Sequence, residues 1–376
     1  MCFKSFFIKI LCFIFSINFT FCQVQNIELK EISANSDTLQ NEFQKYFIDS
    51  INSLNIKNDR LNKSKENYNL GLKYFEENNL EKALEYFENS TFYDSTFSKA
   101  FFFQGKCLEN FNDSLALLSY YKSFVLDSLD FAPLYRIAKI YEKHSFLQAI
   151  NIYNKITTLN KQEHKAFYKL GVLYYLNDSI DLAIENYSIS LSIKKKSRAF
   201  NDRASCYRLN GNFTQALQDY KSAISIDPDV PFIYNNLASL YRKMGDNQRA
   251  LENYTISIQK DDNYYLAYNN RGSLKIELEK YVDALVDINK CISVDSNYAP
   301  AHHNKGVILY KQKKFFEAIS SFDKAILLNP NYAKAFLNRG IVKQMIRDEL
   351  GACKDWMKSQ ELELKISNTY LMYDCN

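Results

Sequence analysis

Asn235-Asn236-Leu237-Ala238-Ser239-Leu240-Tyr241-Arg242-Lys243-Met244-Gly245-Asp246 decides the reading of this chain, because its pattern recurs along most of the sequence. Ala238 belongs to a ladder of small residues, Gly71, Gly105, Ala138, Gly171, Ala204, Ala238, Gly272, Gly306 and Gly340, in steps of 33 or 34. A second ladder, Ala83, Ala116, Ala149, Ala183, Ala216, Ala250, Ala284, Ala318 and Ala352, trails the first by 11 or 12. Two locked ladders of this period mark a stack of helical hairpins. Antiparallel helices approach closely only where one presents Gly or Ala, so a small residue returns at every crossing. Tyr74, Tyr174, Tyr207 and Tyr241 stand one turn beyond the first ladder and share its face. Phe87, Tyr121, Tyr153, Tyr187, Tyr220, Tyr254, Ile288, Phe322 and Trp356 trail the alanines by four or five. These side chains are read as packing residues, which accounts for much of the 15% aromatic content without a cofactor.

The punctuation agrees. Asp227-Pro228 and Asn329-Pro330 close second helices, and Pro133, Pro231 and Pro300 open first helices, where a missing N–H costs nothing. Six glycines stand in the ladder, Gly211 and Gly245 fall in turns, and Gly351 opens the last second helix. None is left to cluster into a phosphate-cradling loop, which argues against a nucleotide site.

Residues 64–366 resemble the tetratricopeptide repeat family, and the quoted stretch is the best-matched part. Gly351-Ala352-Cys353-Lys354-Asp355-Trp356 resembles the closing helix of exported bacterial members. The resemblance implies an all-α fold, a right-handed α-α superhelix of about nine helix-turn-helix repeats. The units Phe101 to Asp127 and Phe131 to Asn160 depart from the pattern: each turn is one residue short, and Asn112-Asp113-Ser114 or His144-Ser145 replaces the glycine.

Before the array, residues 1–22 read as a signal peptide. Lys4 and Lys9 precede an apolar run from Ile10 to Ile17, too short to span a bilayer and shaped like a secretory leader. Cleavage after Cys22 is the favoured reading over lipid attachment to Cys22, because Phe19-Thr20-Phe21 lacks the small residue a lipoprotein signal carries. The expected organisation continues with a polar linker and capping helix over 23–63, in which Leu39, Phe43, Phe47, Ile51 and Leu54 recur at helical spacing, and ends with a tail over 367–376. The expected location is therefore exported, periplasmic or secreted, with an envelope association as the alternative. No later segment approaches a membrane span. A formal charge of +4, falling to +2 without Lys4 and Lys9, does not suggest a nucleic-acid partner. Cys107, Cys206, Cys291, Cys353 and Cys375 show neither CxxC spacing nor the density of a disulfide scaffold. A bridge from Cys353 to Cys375 and two buried thiols stand as equal readings.

Asn236, Asn270, Asn304 and Asn338 form a third ladder, two residues before each small residue, and Asp202 continues it one unit earlier. In the family this position faces the concave groove. The array resembles the asparagine ladder of O-linked N-acetylglucosamine transferase, which implies a grip on the backbone of an extended peptide. A side-chain amide carries both donor and acceptor, so such a grip is indifferent to the guest's sequence. Against it stands the commonness of Asn at this repeat position. Arg203, Arg242, Arg271, Lys305 and Arg339 lie nearby; they either favour acidic segments or pack their stems and leave their charges in solvent. His302-His303, with His144 and His164, lack the spacing of a metal site, and the acidic residues read as scattered over outer faces. The expectation is thus a non-enzymatic scaffold with no metal and no cofactor. It binds a protein or peptide partner through Asp202, Asn236, Asn270, Asn304, Asn338 and Arg242; the alternative is an envelope assembly component that uses another face.

Overall fold

The structure, a computed structural model, describes residues 36–362 together with 364 and 375. The leader assigned to 1–22 and most of the tail assigned to 367–376 lie outside the described residues. Among the described residues there are eighteen α-helices and no strand. They fall into two compact units, Met1–Asp130 and Phe131–Asn376.

The first unit holds α1 (Ser36–Glu76), α2 (Leu80–Tyr93), α3 (Ser98–Leu108) and α4 (Asp113–Leu126). Gly71 of α1 meets Phe87 of α2, and a Cβ there would come within 2.7 Å of the ring. Gly105 does the same for Tyr120 at 2.7 Å. The packing aromatic of this hairpin is therefore Tyr120, fully buried, and not Tyr121, which is exposed. An offset of four from Ala116, the offset that every other hairpin keeps, places Tyr120 and not Tyr121 on the buried face. Residues expected to form a separate capping helix belong to α1, which runs unbroken for 41 residues because nothing between Leu54 and Ser64 interrupts it. Phe47, Ile51 and Leu54 are exposed. Contact with the hairpin begins where Arg60 donates to the Phe92 carbonyl at 3.3 Å and Ser64 to the Ser90 carbonyl at 2.9 Å.

The second unit stacks seven hairpins: α5 (Ala132–His144) with α6 (Phe146–Leu159), α7 (His164–Leu176) with α8 (Ile180–Ile193), α9 (Ser197–Leu209) with α10 (Phe213–Ile226), α11 (Pro231–Lys243) with α12 (Asn247–Lys260), α13 (Tyr265–Glu277) with α14 (Tyr281–Val294), α15 (Ala299–Lys311) with α16 (Phe315–Leu328), and α17 (Ala333–Met345) with α18 (Glu349–Glu361). Glycines of the first ladder again lie under large side chains, Gly171 under Tyr187, Gly272 under Ile288, Gly306 under Phe322 and Gly340 under Trp356. The core crosses from hairpin to hairpin: Tyr220, Leu237, Tyr241, Tyr254 and Leu274, from three successive pairs, share one cluster. Burying such a ring contributes about 1.5–3 kcal/mol, and the rings that cover a glycine close their own hairpin while the shared clusters join it to the next.

Turns inside a hairpin use one residue with positive φ: Gly211 and Gly245, and also Asn78, Asp178, Glu279, Lys313 and Arg347. The hairpins α3/α4 and α5/α6 have none, and their helices begin at Asn112, whose side chain caps Ser114 and Leu115, and at Ser145. Where a serine replaces the small residue late in a second helix, it ties that helix to the start of its partner. Ser190 donates to the His164 carbonyl, Ser257 to that of Pro231 and Ser359 to that of Ala333, at 2.8–2.9 Å.

Candidate functional site

The asparagine ladder occupies one line across α9, α11, α13, α15 and α17, and a second line lies directly behind it. Asn201, Asn235, Asn269 and His303, each one residue before a ladder position, are buried. Asn236 donates to the Asn201 Oδ1 at 3.0 Å, Asn270 to Asn235 at 3.0 Å and Asn304 to Asn269 at 2.9 Å. Asn338 ends the series on the His303 Nε2 at 2.8 Å. At the other end Asp202 accepts from Asn201 at 2.9 Å and from the Tyr168 hydroxyl of α7 at 2.6 Å. Burial pushes the Asp202 carboxyl up, and the hydrogen bonds from Tyr168 and Asn201 oppose that shift. The result is a polar spine that steps from each first helix to the next.

This spine fixes the ladder side chains without exhausting them. A primary amide has two N–H groups and an oxygen with two lone pairs. Asn236 and Asn270 each commit one N–H to the preceding repeat, and their oxygens receive only a long 3.4 Å contact from the adjacent asparagine. Among the described residues one donor and one acceptor per side chain remain for a guest. The four ladder asparagines are half-buried.

The neighbouring cations are less free than the ladder. Arg203, Arg271 and Arg339 each hold a buried aspartate with two hydrogen bonds: Asp219 at 2.7 and 2.8 Å, Asp287 at 2.9 and 2.6 Å, Asp355 at 2.8 and 2.6 Å. The third guanidinium nitrogen reaches back to the previous hairpin, to Ser188, Thr255 and Asp323 respectively. Lys275 and Lys343 add second contacts to Asp287 and Asp355, at 2.8 and 2.9 Å. These arginines are structural braces whose charges meet buried aspartates in place of solvent, and three acidic residues expected on outer faces lie in the core. Arg242 joins Glu277 and Ser273 of α13, so its charge is answered inside the array.

Sequence reasoning missed the buried line and the braces, although both leave a trace. Asn-Asn at 235–236 and 269–270 repeats at the hairpin period, and Arg203, Arg271 and Arg339 stand 68 residues apart, each followed by Asp 16 residues on. The units between them carry Leu237 with Asn253 and Lys305 with Ser321 at those positions. His303 packs its ring against Phe322 and Tyr332, with centroids at 5.6 and 5.1 Å. Burial lowers its pKa to about 4, against a hydrogen bond to Asn304 and with a push in the same direction from Lys334. Among the described residues no group of three His, Cys, Asp or Glu side chains is placed to hold a metal. Cys107, Cys206 and Cys291 are buried, and burial pushes their thiols up to about 11, 12 and 12. Cys353 and Cys375 are joined, with Cα atoms 5.7 Å apart, and Cys375 packs on the last cluster with Leu337 and Trp356. No described helix is long and apolar enough to cross a membrane.

Comparison with known proteins addresses the family. Tetratricopeptide repeat profiles match residues 205–245, 233–263 and 299–332. No curated protein matches the sequence. Among solved structures, a tetratricopeptide repeat protein from Parabacteroides merdae ATCC 43184 is similar over 66% of this chain and 99% of its own, with 21% identity and a TM-score of 0.51. The APC/C hetero-tetramer Cut9-Hcn1 is similar over 83% of this chain and 76% of that chain, with 14% identity and a TM-score of 0.56. At these identities the likeness speaks for the fold alone. Hairpin ladders, left-handed turn residues and matched repeats lead to one statement: this chain carries tetratricopeptide repeats, matched over residues 205–263 and 299–332, on the fold of tetratricopeptide repeat proteins, and such repeats support a scaffold for protein–protein interaction.

Proposed function

We propose that the chain is an exported scaffold that holds an extended polypeptide segment along Asp202, Asn236, Asn270, Asn304 and Asn338. One observation carries the reading: the amides of Asn236 and Asn270 are held from behind by Asn201 and Asn235, each through one N–H, while both side chains stay partly exposed. Orienting these groups before binding removes part of the ordering cost that a peptide site otherwise meets. Arg242 acts in this reading as a brace through Glu277 and not as a direct contact. Export is supported by the basic and apolar pattern of residues 1–22 and by the joined Cys353 and Cys375, since such bonds persist in oxidising compartments.

The test pans a displayed library of random unstructured peptides against the chain and against a variant with Asn236, Asn270, Asn304 and Asn338 all changed to Ala, with helical content checked by circular dichroism. Peptides recovered on the wild type should lose binding at least tenfold on the folded variant. Equal affinity for both proteins refutes the groove reading. For export, the mass of the N-terminus recovered from cells should start at Gln23, and an intact Met1 refutes it.

A second reading, an envelope assembly component that uses another face, draws on α4. Leu115, Leu118, Tyr121 and Val125 recur at helical spacing on the side of α4 turned away from its buried Tyr120, and all four are exposed. Membrane fractionation separates the two readings, because the scaffold should stay in the soluble fraction.

A further inference from the structure

The free part of α1 is the least explained element of the fold. Between residues 44 and 60 every side chain is exposed, and the first tertiary hydrogen bond appears only at Arg60. That stretch is rich in Asn, Ser, Asp and Ile, which are weak helix formers, and isolated helices of such composition are marginal in water. A helix here needs a packing partner. The partner side is marked: Phe47, Ile51 and Leu54, at 50%, 42% and 56% exposure, follow one another at spacings of four and three along a single face.

Charge identifies the partner. Within the exposed stretch, residues 41–50 carry Glu42 and Asp49 against Lys45, a sum of −1, whereas residues 51–60 carry Lys57 and Arg60 against Asp59, a sum of +1. The stretch is acidic in its first half and basic in its second, so it complements itself when reversed. A parallel arrangement would oppose like halves.

We propose that α1 is a dimerisation helix, pairing antiparallel with α1 of a second copy of this chain about a two-fold axis at Ser50 and Ile51. Phe47 of one chain then faces Leu54 of the other, and Ile51 lies beside its own counterpart. The overlap spans residues 41–60, which stops short of the part of α1 that packs on α2 at Ser64 and Ser90. An isologous contact of this kind closes on itself and gives a dimer, not a filament.

The experiment uses the full chain after export. Sedimentation velocity at tens of micromolar should give twice the chain mass for the wild type and the single mass for Phe47→Asp/Leu54→Asp, with helical content of the repeats unchanged. One molar salt should weaken the wild-type dimer, because the end charges are then screened. Under oxidation Ile51→Cys should cross-link to itself, while Phe47→Cys should cross-link only when mixed with Leu54→Cys. A monomeric wild type, a dimer insensitive to Phe47→Asp/Leu54→Asp, self-linking of Phe47→Cys, or binding of the helix to lipid vesicles in place of a second copy overturns the proposal.

Discussion

Replacing Arg271 by Leu tests the bracing scheme most sharply, because the neighbouring repeat already carries the alternative solution. Arg271 and Asp287 are 17% and 3% exposed at their side chains and are joined by two hydrogen bonds. Removing one partner of a buried ion pair costs about 3–5 kcal/mol, since the other charge stays out of water. Arg271→Leu should fall near the lower end, about 3 kcal/mol, because Lys275 still reaches Asp287 at 2.8 Å. Asp287→Asn should cost a similar amount, about 3 kcal/mol, by leaving two cations unanswered. Together the two changes reproduce Leu237 and Asn253, so the double variant should lie within about 1 kcal/mol of the wild type, with Lys275 extending its ammonium to solvent. Urea unfolding followed by helical circular dichroism measures all four corners. A double variant that loses about 6 kcal/mol, the sum of the single changes, refutes the reasoning.

Three further outcomes are expected. The His303 pKa, lowered to about 4, lies below its unfolded value of about 6.5, so the unfolded chain takes up the proton first. Stability should therefore fall as pH drops from about 6.5 toward about 4, by up to about 3 kcal/mol, and urea midpoints at several pH values should show that this slope disappears in His303→Asn. Gly306→Ala places a Cβ 2.6 Å from the fully buried Phe322, and a thermal melt should register a loss of about 1–3 kcal/mol. Lys313 sits at φ 61° where Gly245 sits at 83°, so Lys313→Gly should stabilise by up to about 1 kcal/mol in urea titration and Gly245→Ala should destabilise by a similar amount.

The fold was legible because close helix contact demands a small residue, and Gly71, Ala238 and Gly340 announce that demand at a fixed period. Tyr120 was misread as Tyr121 because two adjacent tyrosines compete there, and the offset of four from the alanine that every other hairpin keeps selects Tyr120. The front line of the site was legible for the same reason as the fold, since Asn236 and Asn270 repeat. The back line was not, because a buried asparagine resembles an exposed one until its donor in the next repeat, 35 residues away, is known. The braces escaped for a related reason: Asp287 looks like any surface aspartate unless its distance to Arg271 is read together with the doubled period. The exposed half of α1 kept helical spacing in sequence, but spacing alone says that a face exists, not what covers it.

The recurrence of Arg203, Arg271 and Arg339 at every second hairpin means that single repeats are not interchangeable parts. Excising residues 231–264 would bring Lys221 to the place that Thr255 holds beside Arg271, and two positive charges would meet at a junction that was neutral. Excising residues 197–264 would bring Ser188 there instead, the same hydroxyl that already serves Arg203. A paired excision thus keeps at Arg271 the hydroxyl that a single excision replaces with a cation, which makes two hairpins the smallest length that can be removed at this junction without changing its chemistry.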